Sequence, residues 1–304
     1  MKTRNLILCF SGTLAAVFLL VILGFDKNKQ SENDAETNEP VHQWTVPKIP
    51  TQMTFAGEKV PLEKWEIREQ FDRELTLIYY QTGGILTILK YANRWLPVIA
   101  ERLKQNGIPE DFKYLCIAES NLQNLISRAG AVGFWQFMNY TGPGFGLEIN
   151  ANVDERYNTI KSTDAASQYL KQAYNKFGSW TAAAASYNCG QGGYNAQATF
   201  QRTMYYYDLN LPVETNHYMY RILSFKYILE NQKKLGYIPD TSDLYKPFET
   251  RSVTVTNSIA NLADFAINNG TTYRMLRILN PWIRGRSLPV RTGKNYTILL
   301  PAKK

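Results

Sequence analysis

Along the first sixty residues hydrophobic and polar positions are segregated rather than interleaved. An essentially uncharged apolar stretch runs from Leu6 to Phe25 behind Lys2 and Arg4, and a polar run without periodicity follows from Asp26 to about Gln52. The apolar stretch is about long enough to cross a bilayer as a helix. Positive charge ahead of it would leave the N-terminus in the cytoplasm and the remainder outside. From Pro61 onward the pattern turns helical. Ile88, Tyr91, Ala92, Trp95, Ile99 and Leu103 fall on one face, with Pro97 as an expected kink. After the turn signal Gly107-Ile108-Pro109, a helix is predicted from Glu110 to Gly130, a span free of Gly and Pro until its end. Phe112, Leu115, Cys116 and Glu119 share one stripe of it, at i, i+3, i+4 and i+7.

Three more helices follow. One spans Asp164 to Phe177, with Ser162 or Thr163 as its cap. A short alanine-rich one runs from Thr181 to Tyr187 and stops at Asn188-Cys189-Gly190. The third covers His217 to Lys234, with Tyr218, Ile222, Phe225 and Ile228 on its inner face. Gly142-Pro143-Gly144-Phe145-Gly146 lacks the Lys-Ser/Thr and the preceding strand of a phosphate loop and reads as a plain turn. Pro, Asp and Ser between Gly236 and Pro247 mark a boundary. Beyond it come strand-like alternation at Ser252 to Thr256, helical spacing at Leu262, Phe265 and Ala266, a turn at Gly270, a second short helix from Tyr273 to Leu279, and a last strand at Tyr296 to Pro301. The fold class is therefore mainly α, followed by a small α+β unit of order βααβ.

Composition agrees with a folded chain: 304 residues, 44% hydrophobic and 13% aromatic. The net charge of +8 is local. Residues 251–304 hold nine Lys or Arg against a single acid, Asp264, which by itself equals the charge of the whole chain. A basic module outside the membrane suits anionic wall polymers or lipid, and with no recognition motif present nucleic acid is not an expected partner. His42 and His217 stand far apart without metal-ligand spacing, so neither a metal nor another cofactor is expected. Cys116 and Cys189 can be read as a disulfide in an exported protein or as free thiols packing like small apolar groups.

The chemical candidate is Glu119. A carboxyl on a buried stripe has its charged form disfavoured and its pKa raised, which is what a general acid needs at neutral pH. The competing reading is a structural carboxylate paired with a cation elsewhere in the fold.

The motifs around Glu119 decide between them. Gly107-Ile108-Pro109-Glu110-Asp111-Phe112-Lys113-Tyr114 leads into Glu119-Ser120; then come Ser127, Gly130-Ala131, Gly133-Phe134-Trp135-Gln136-Phe137-Met138, Val153-Asp154-Glu155-Arg156, Ser162-Thr163-Asp164-Ala165-Ala166, Tyr187-Asn188-x-Gly190 and Glu214-Thr215-x-x-Tyr218-x-x-Arg221. In this order they resemble the transglycosylase domain of the soluble and membrane-bound lytic murein transglycosylases, over roughly Phe55 to Tyr237. Ser186 and Trp135 depart from the residues usual in the family. The resemblance implies a goose-lysozyme-like helical fold and a cut at the β-1,4 bond between N-acetylmuramic acid and N-acetylglucosamine in peptidoglycan glycan strands. The expected product is a 1,6-anhydromuramoyl end, with Glu119 as the single acid and then base. It also implies substrate contacts from Ser120, Ser127, Gln136, Tyr187, Asn188 and Tyr218, the last equally placed for core packing. Phe134, Trp135 and Phe137 stand either at sugar subsites or in the core.

The C-terminal βααβ unit resembles a LysM module, carried mainly by Leu279-Asn280-Pro281-Trp282 and by Tyr296 to Pro301. The domains read as a membrane anchor or cleaved signal at 1–25, a flexible tether at 26–54, the lysozyme-like domain at 55–237, a linker at 238–250 and the LysM-like module at 251–304. This places the chain in the bacterial cell envelope, anchored in the inner membrane by its N-terminal segment with the catalytic domain in the periplasm, or exported after cleavage. Members of the family are often lipoproteins, but Leu8 before Cys9 and the few apolar residues ahead of it argue against lipidation here. Two other functions stay open: a hydrolytic muramidase, with Asp111, Glu148 or Asp154 as a second carboxylate, and a non-catalytic wall-binding scaffold.

Overall fold

Two short strands, β1 (Thr54–Phe55) and β2 (Glu58–Lys59), pair antiparallel around Ala56-Gly57, in a computed structural model that describes residues 45–302. The apolar stretch from Leu6 to Phe25, Cys9, His42 and the polar run before residue 45 lie outside the described residues. Among the described residues no helix is long and apolar enough to cross a membrane. The segment expected as the end of the tether is already packed: Pro47 and Met53 are buried, and Tyr227 donates to the Lys48 carbonyl at 2.8 Å.

Helix α1 (Trp65–Tyr79) buries Ile67, Phe71, Leu75 and Ile78, a 3.6-residue stripe that packs against α6 (below). Helix α2 (Thr82–Gln105) contains Pro97 and turns Ile85, Ile88, Leu89, Ile99 and Leu103 inward. Helix α3 (Phe112–Ser120) is shorter than the span predicted to Gly130. It stops because Asn121 and Leu122 both take positive φ, 51° and 59°, a conformation that cannot continue a right-handed helix. Six of its nine residues are buried, so it runs through the core with polar groups only where the core needs them.

Helix α4 (Thr159–Phe177) begins earlier than expected, because Asn158, not Ser162 or Thr163, accepts from the N–H groups of Ile160 and Lys161. Ser162 and Thr163 sit inside the first turn and return their hydroxyls to the carbonyls of Asn158 and Thr159. Helix α5 (Trp180–Gln201) is capped by Ser179 and by Glu58 from β2, whose carboxylate accepts from the N–H groups of Trp180 and Thr181. Gly190, at φ 76° and ψ 150°, breaks it where a stop was predicted, but the helix resumes to Gln201. Gln191-Gly192-Gly193 gives no helical signal; the second half is held by Tyr194, fully buried with its hydroxyl on the Met204 carbonyl, and by buried Ala198. Helix α6 (Val213–Glu230), predicted from His217, is buried on nearly every side and packs on α1, α3 and α5.

The span 238–250, read as a linker, lies along α2. Tyr245 donates its N–H to the Lys90 carbonyl, Arg94 donates to the Lys246 carbonyl, and the Arg94 guanidinium lies 4.2 Å from the Phe248 ring centre. The tail folds as predicted: β3 (Thr250–Val255), α7 (Leu262–Asn268), α8 (Tyr273–Leu279) and β4 (Tyr296–Pro301), with β3 and β4 antiparallel from Thr250 opposite Pro301 to Val255 opposite Tyr296. Asn280, fully buried, is satisfied by the Leu276 and Leu299 carbonyls and the Leu299 N–H. Its core does not close on itself. Val132, Val153 and Tyr157 of the helical body complete it, Val153 bridges Ile283, and Asp154 donates to the Trp282 carbonyl at 2.8 Å.

Candidate active site

Helix α3 ends one residue after Glu119, so this side chain stands at the helix terminus, half-buried, where α6 crosses. Tyr218 of α6, 2% exposed, donates its hydroxyl to Glu119 Oε1. Burial pushes the Glu119 carboxyl up to about 7; the Tyr218 hydrogen bond and the Arg221 charge pull it down, and Glu214 adds to the rise. Cys116, one turn before Glu119, is buried and donates its thiol to the Phe134 carbonyl, with burial and the Glu119 charge pushing its pKa far up. Tyr218 is therefore both a core residue and a partner of the carboxylate.

Glu214, Tyr218 and Arg221 recur at i, i+4 and i+7 on one face of α6, and Arg221 bonds Glu214 at 3.2 Å over the intervening tyrosine. In the sequence Glu214 and Arg221 stand as motif residues to which no part in the site is assigned. The signal was available: their spacing from Tyr218 places both charges on the stripe that faces Glu119.

Tyr187, half-buried near the end of the first half of α5, donates to the Trp135 carbonyl at 2.8 Å and packs edge-on against Phe137 and Tyr169. Burial, then the Glu119 charge, pushes its pKa well up, so the phenol stays protonated. Since its proton is committed to Trp135, the oxygen remains as an acceptor. Asn188 is exposed and accepts from Thr215 at 2.8 Å, which ties the end of this half-helix to the start of α6.

The loop from Asn121 to Met138 follows α3 and returns to it and to α5 through the carbonyls of Phe134, which accepts from Cys116, and Trp135, which accepts from Tyr187. Ile126 bridges Val132, which bridges Phe137, and Ser127 closes a turn by accepting the Ala131 N–H at 2.9 Å. Gln136, at φ 49°, donates its amide N–H groups to the Gly133 and Leu125 carbonyls. Gly133 has no room for a side chain: a Cβ there would lie 2.1 Å from the Arg156 carbonyl oxygen. Ser120, expected at the cleft, is instead 3% exposed and returns its hydroxyl to the Cys116 carbonyl. Phe134, Trp135 and Phe137 are buried; Trp135 donates its indole N–H to Thr163 at 2.9 Å, and the three are core rather than cleft surface. Cys116 and Cys189 are free thiols, the first buried and the second half-buried.

The acids considered as second carboxylates are engaged elsewhere. Asp111 accepts from Lys226 at 2.9 Å and from the Ala56 N–H; Asp154 is held by Arg156 at 2.7 Å; Glu148 is held by Lys294 and Tyr296. Glu214 is the one acid whose charge reaches Glu119 among the described residues, and it is mostly exposed and paired with Arg221. The arrangement supplies one proton, held near neutral pH, on a carboxyl with an oriented hydrogen bond.

Residues 97–206 match the family model described as the transglycosylase SLT domain, and residues 251–304 match the soluble lytic transglycosylase C-terminal LysM-like domain. Among curated proteins the chain is similar to a membrane-bound lytic murein transglycosylase D of Escherichia coli strain K12, 28% identical over 258 residues, which cover 82% of this chain and 55% of the relative. The same figures hold for the protein of that name in Escherichia coli O6:H1. The chain spans about half the length of the curated relatives it matches.

Proposed function

We propose that this chain, which carries a transglycosylase SLT domain followed by a LysM-like domain, is a lytic transglycosylase that cleaves the β-1,4 bond between N-acetylmuramic acid and N-acetylglucosamine in peptidoglycan without consuming water. The observation that carries this reading is Glu119: a single half-buried carboxyl with its pKa raised to about 7, while Asp111, Glu148 and Asp154 are bound to cations of their own. Hydrolysis with two carboxylates needs a second acid free to act as base or nucleophile.

The steps follow from one acid. Protonated Glu119 gives its proton to the glycosidic oxygen as the bond from that oxygen to C1 of the muramoyl sugar breaks. The acetamido oxygen of the same sugar supports C1, which makes a protein nucleophile unnecessary. Glu119, now a carboxylate held by Tyr218, takes the proton of the muramoyl C6 hydroxyl as that oxygen bonds to C1. A 1,6-anhydro ring forms, and the enzyme is returned to its protonated state. Tyr187's oxygen can accept the acetamide N–H, and Ser127, Gln136 and Asn188 offer hydrogen-bonding groups to the strand.

The domain boundaries proposed at 55–237 and 251–304, attachment to the inner membrane through residues 1–25 and a site of action in the periplasm complete the reading; the named relatives are membrane-bound. Digestion of purified murein followed by mass spectrometry of the new chain ends tests the chemistry. Anhydro ends that vanish in Glu119→Gln are expected. Reducing ends alone would overturn the proposal in favour of a muramidase, and unaltered strands in favour of a scaffold.

A further inference from the structure

Where the C-terminal module meets the helical body, a groove of about 420 Å³ opens between the 142–146 turn, the segment entering α4 and the start of β4. Its volume suits a small ligand. Its lining carries charges of both signs. Glu155 is 8% exposed, and one carboxylate oxygen accepts the Glu148 N–H at 2.8 Å while the other has no hydrogen-bond partner among the described residues. Glu148 and Lys294 already satisfy one another, with Tyr296 and Asn150 on the same carboxylate. Lys161, which also lines the groove, stands exposed in the first turn of α4 and makes no ion pair among the described residues. It lies beside the positive end of a nineteen-residue helix, whose cap Asn158 also lines the groove. Trp282 and Tyr296, stacked with ring centres 5.5 Å apart, close the apolar side.

A neutral sugar offers no charged partner to the Glu155 carboxylate, which the Lys294 ammonium reaches through space without a hydrogen bond, or to Lys161, which makes no ion pair among the described residues. A ligand carrying both an ammonium and a carboxylate gives each a charge-assisted partner. We propose that this junction groove binds a short zwitterionic peptide, its ammonium on Glu155 and a carboxylate against Lys161 and the α4 N-terminus. If the chain acts on murein, as proposed above, the peptide stems that hang from the glycan have this chemistry, and the groove holds a stem while the strand is in the cleft. The site is built by both domains: Glu155 and Lys161 come from the body, and the aromatic wall and Lys294 from the module.

Titration calorimetry on the full chain with the synthetic tripeptide L-alanyl-γ-D-glutamyl-diaminopimelate tests it, with peptide-free chitotetraose as the comparison. Saturable peptide binding, weakened about tenfold or more by Lys161→Glu and by Glu155→Gln, is the expected result. Lys161 is exposed, so its variant keeps the fold, and unchanged thermal melting will verify that. Absence of peptide binding, equal binding by Lys161→Glu, or displacement of the peptide by chitotetraose would each overturn the proposal. Binding is read without turnover, so a failure of the transglycosylase chemistry is recognised separately by its product ends.

Discussion

At the scale of single residues, Glu119 has opposite consequences for stability and for activity. Its carboxyl titrates near 4.5 when free and near 7 in the fold, so the folded chain binds this proton more tightly than the unfolded one. The stability linked to that proton is complete below about pH 4.5 and is lost as the pH rises through 7, a cost on the order of 3 kcal/mol. Glu119→Gln removes the cost. Thermal melts should show the variant level with the parent chain at pH 4 and more stable at pH 8; a constant difference across that range would contradict the burial argument. In the reaction proposed above the protonated carboxyl acts as the acid, so the rate is expected to decline above about pH 7. Tyr218→Phe removes a bond that stabilises the carboxylate, so the alkaline limb of the pH–rate profile should move to higher pH while kcat falls by about tenfold. A limb displaced to lower pH would show that Tyr218 does not act on Glu119 in this way.

At the scale of elements, termini and close approaches place the site. Helix α3 ends on Asn121 and Leu122 in the left-handed region, which puts Glu119 at an exit from the core instead of midway along a longer helix. Gly133 lets the following loop pass against the Arg156 carbonyl, whose own residue is pinned by Asp154. Gly133→Ala combines a 2.1 Å clash with backbone at φ 83°, where a side chain is strained in any case. A loss of about 3 kcal/mol is expected, from strain and overpacking together. Urea unfolding measures it, and an unchanged midpoint would mean that the loop lies elsewhere. These features were only partly legible. The apolar stripes of α1, α2 and α4 are strong periodic signals, whereas the resumption of α5 beyond Gly190 depends on Tyr194 and Ala198 finding a core, which Gln191-Gly192-Gly193 conceals.

At the scale of the whole molecule, the LysM-like module is part of the structure of the body. Ile283, fully buried, pairs with Val153, and Val132 and Tyr157 fill the module's core from outside. Ile283→Ala is expected to cost about 2–5 kcal/mol, read as a single unfolding transition displaced to lower temperature. Two transitions, with only one displaced, would show instead that the module melts on its own. The sequence alone determines the class of the fold, the βααβ order of the tail, the place of the basic charge and the position of Glu119 on an apolar helical stripe, because these rest on spacing within one element or on short motifs. The tertiary structure alone decides that Ser120 and Trp135 face the core, that Glu214 and Arg221 act on Glu119, that residues 238–250 are fastened to α2 and that body and module share a core. Each of these depends on contacts between residues far apart in the chain, and local periodicity carries no information about which distant surface a buried face will meet.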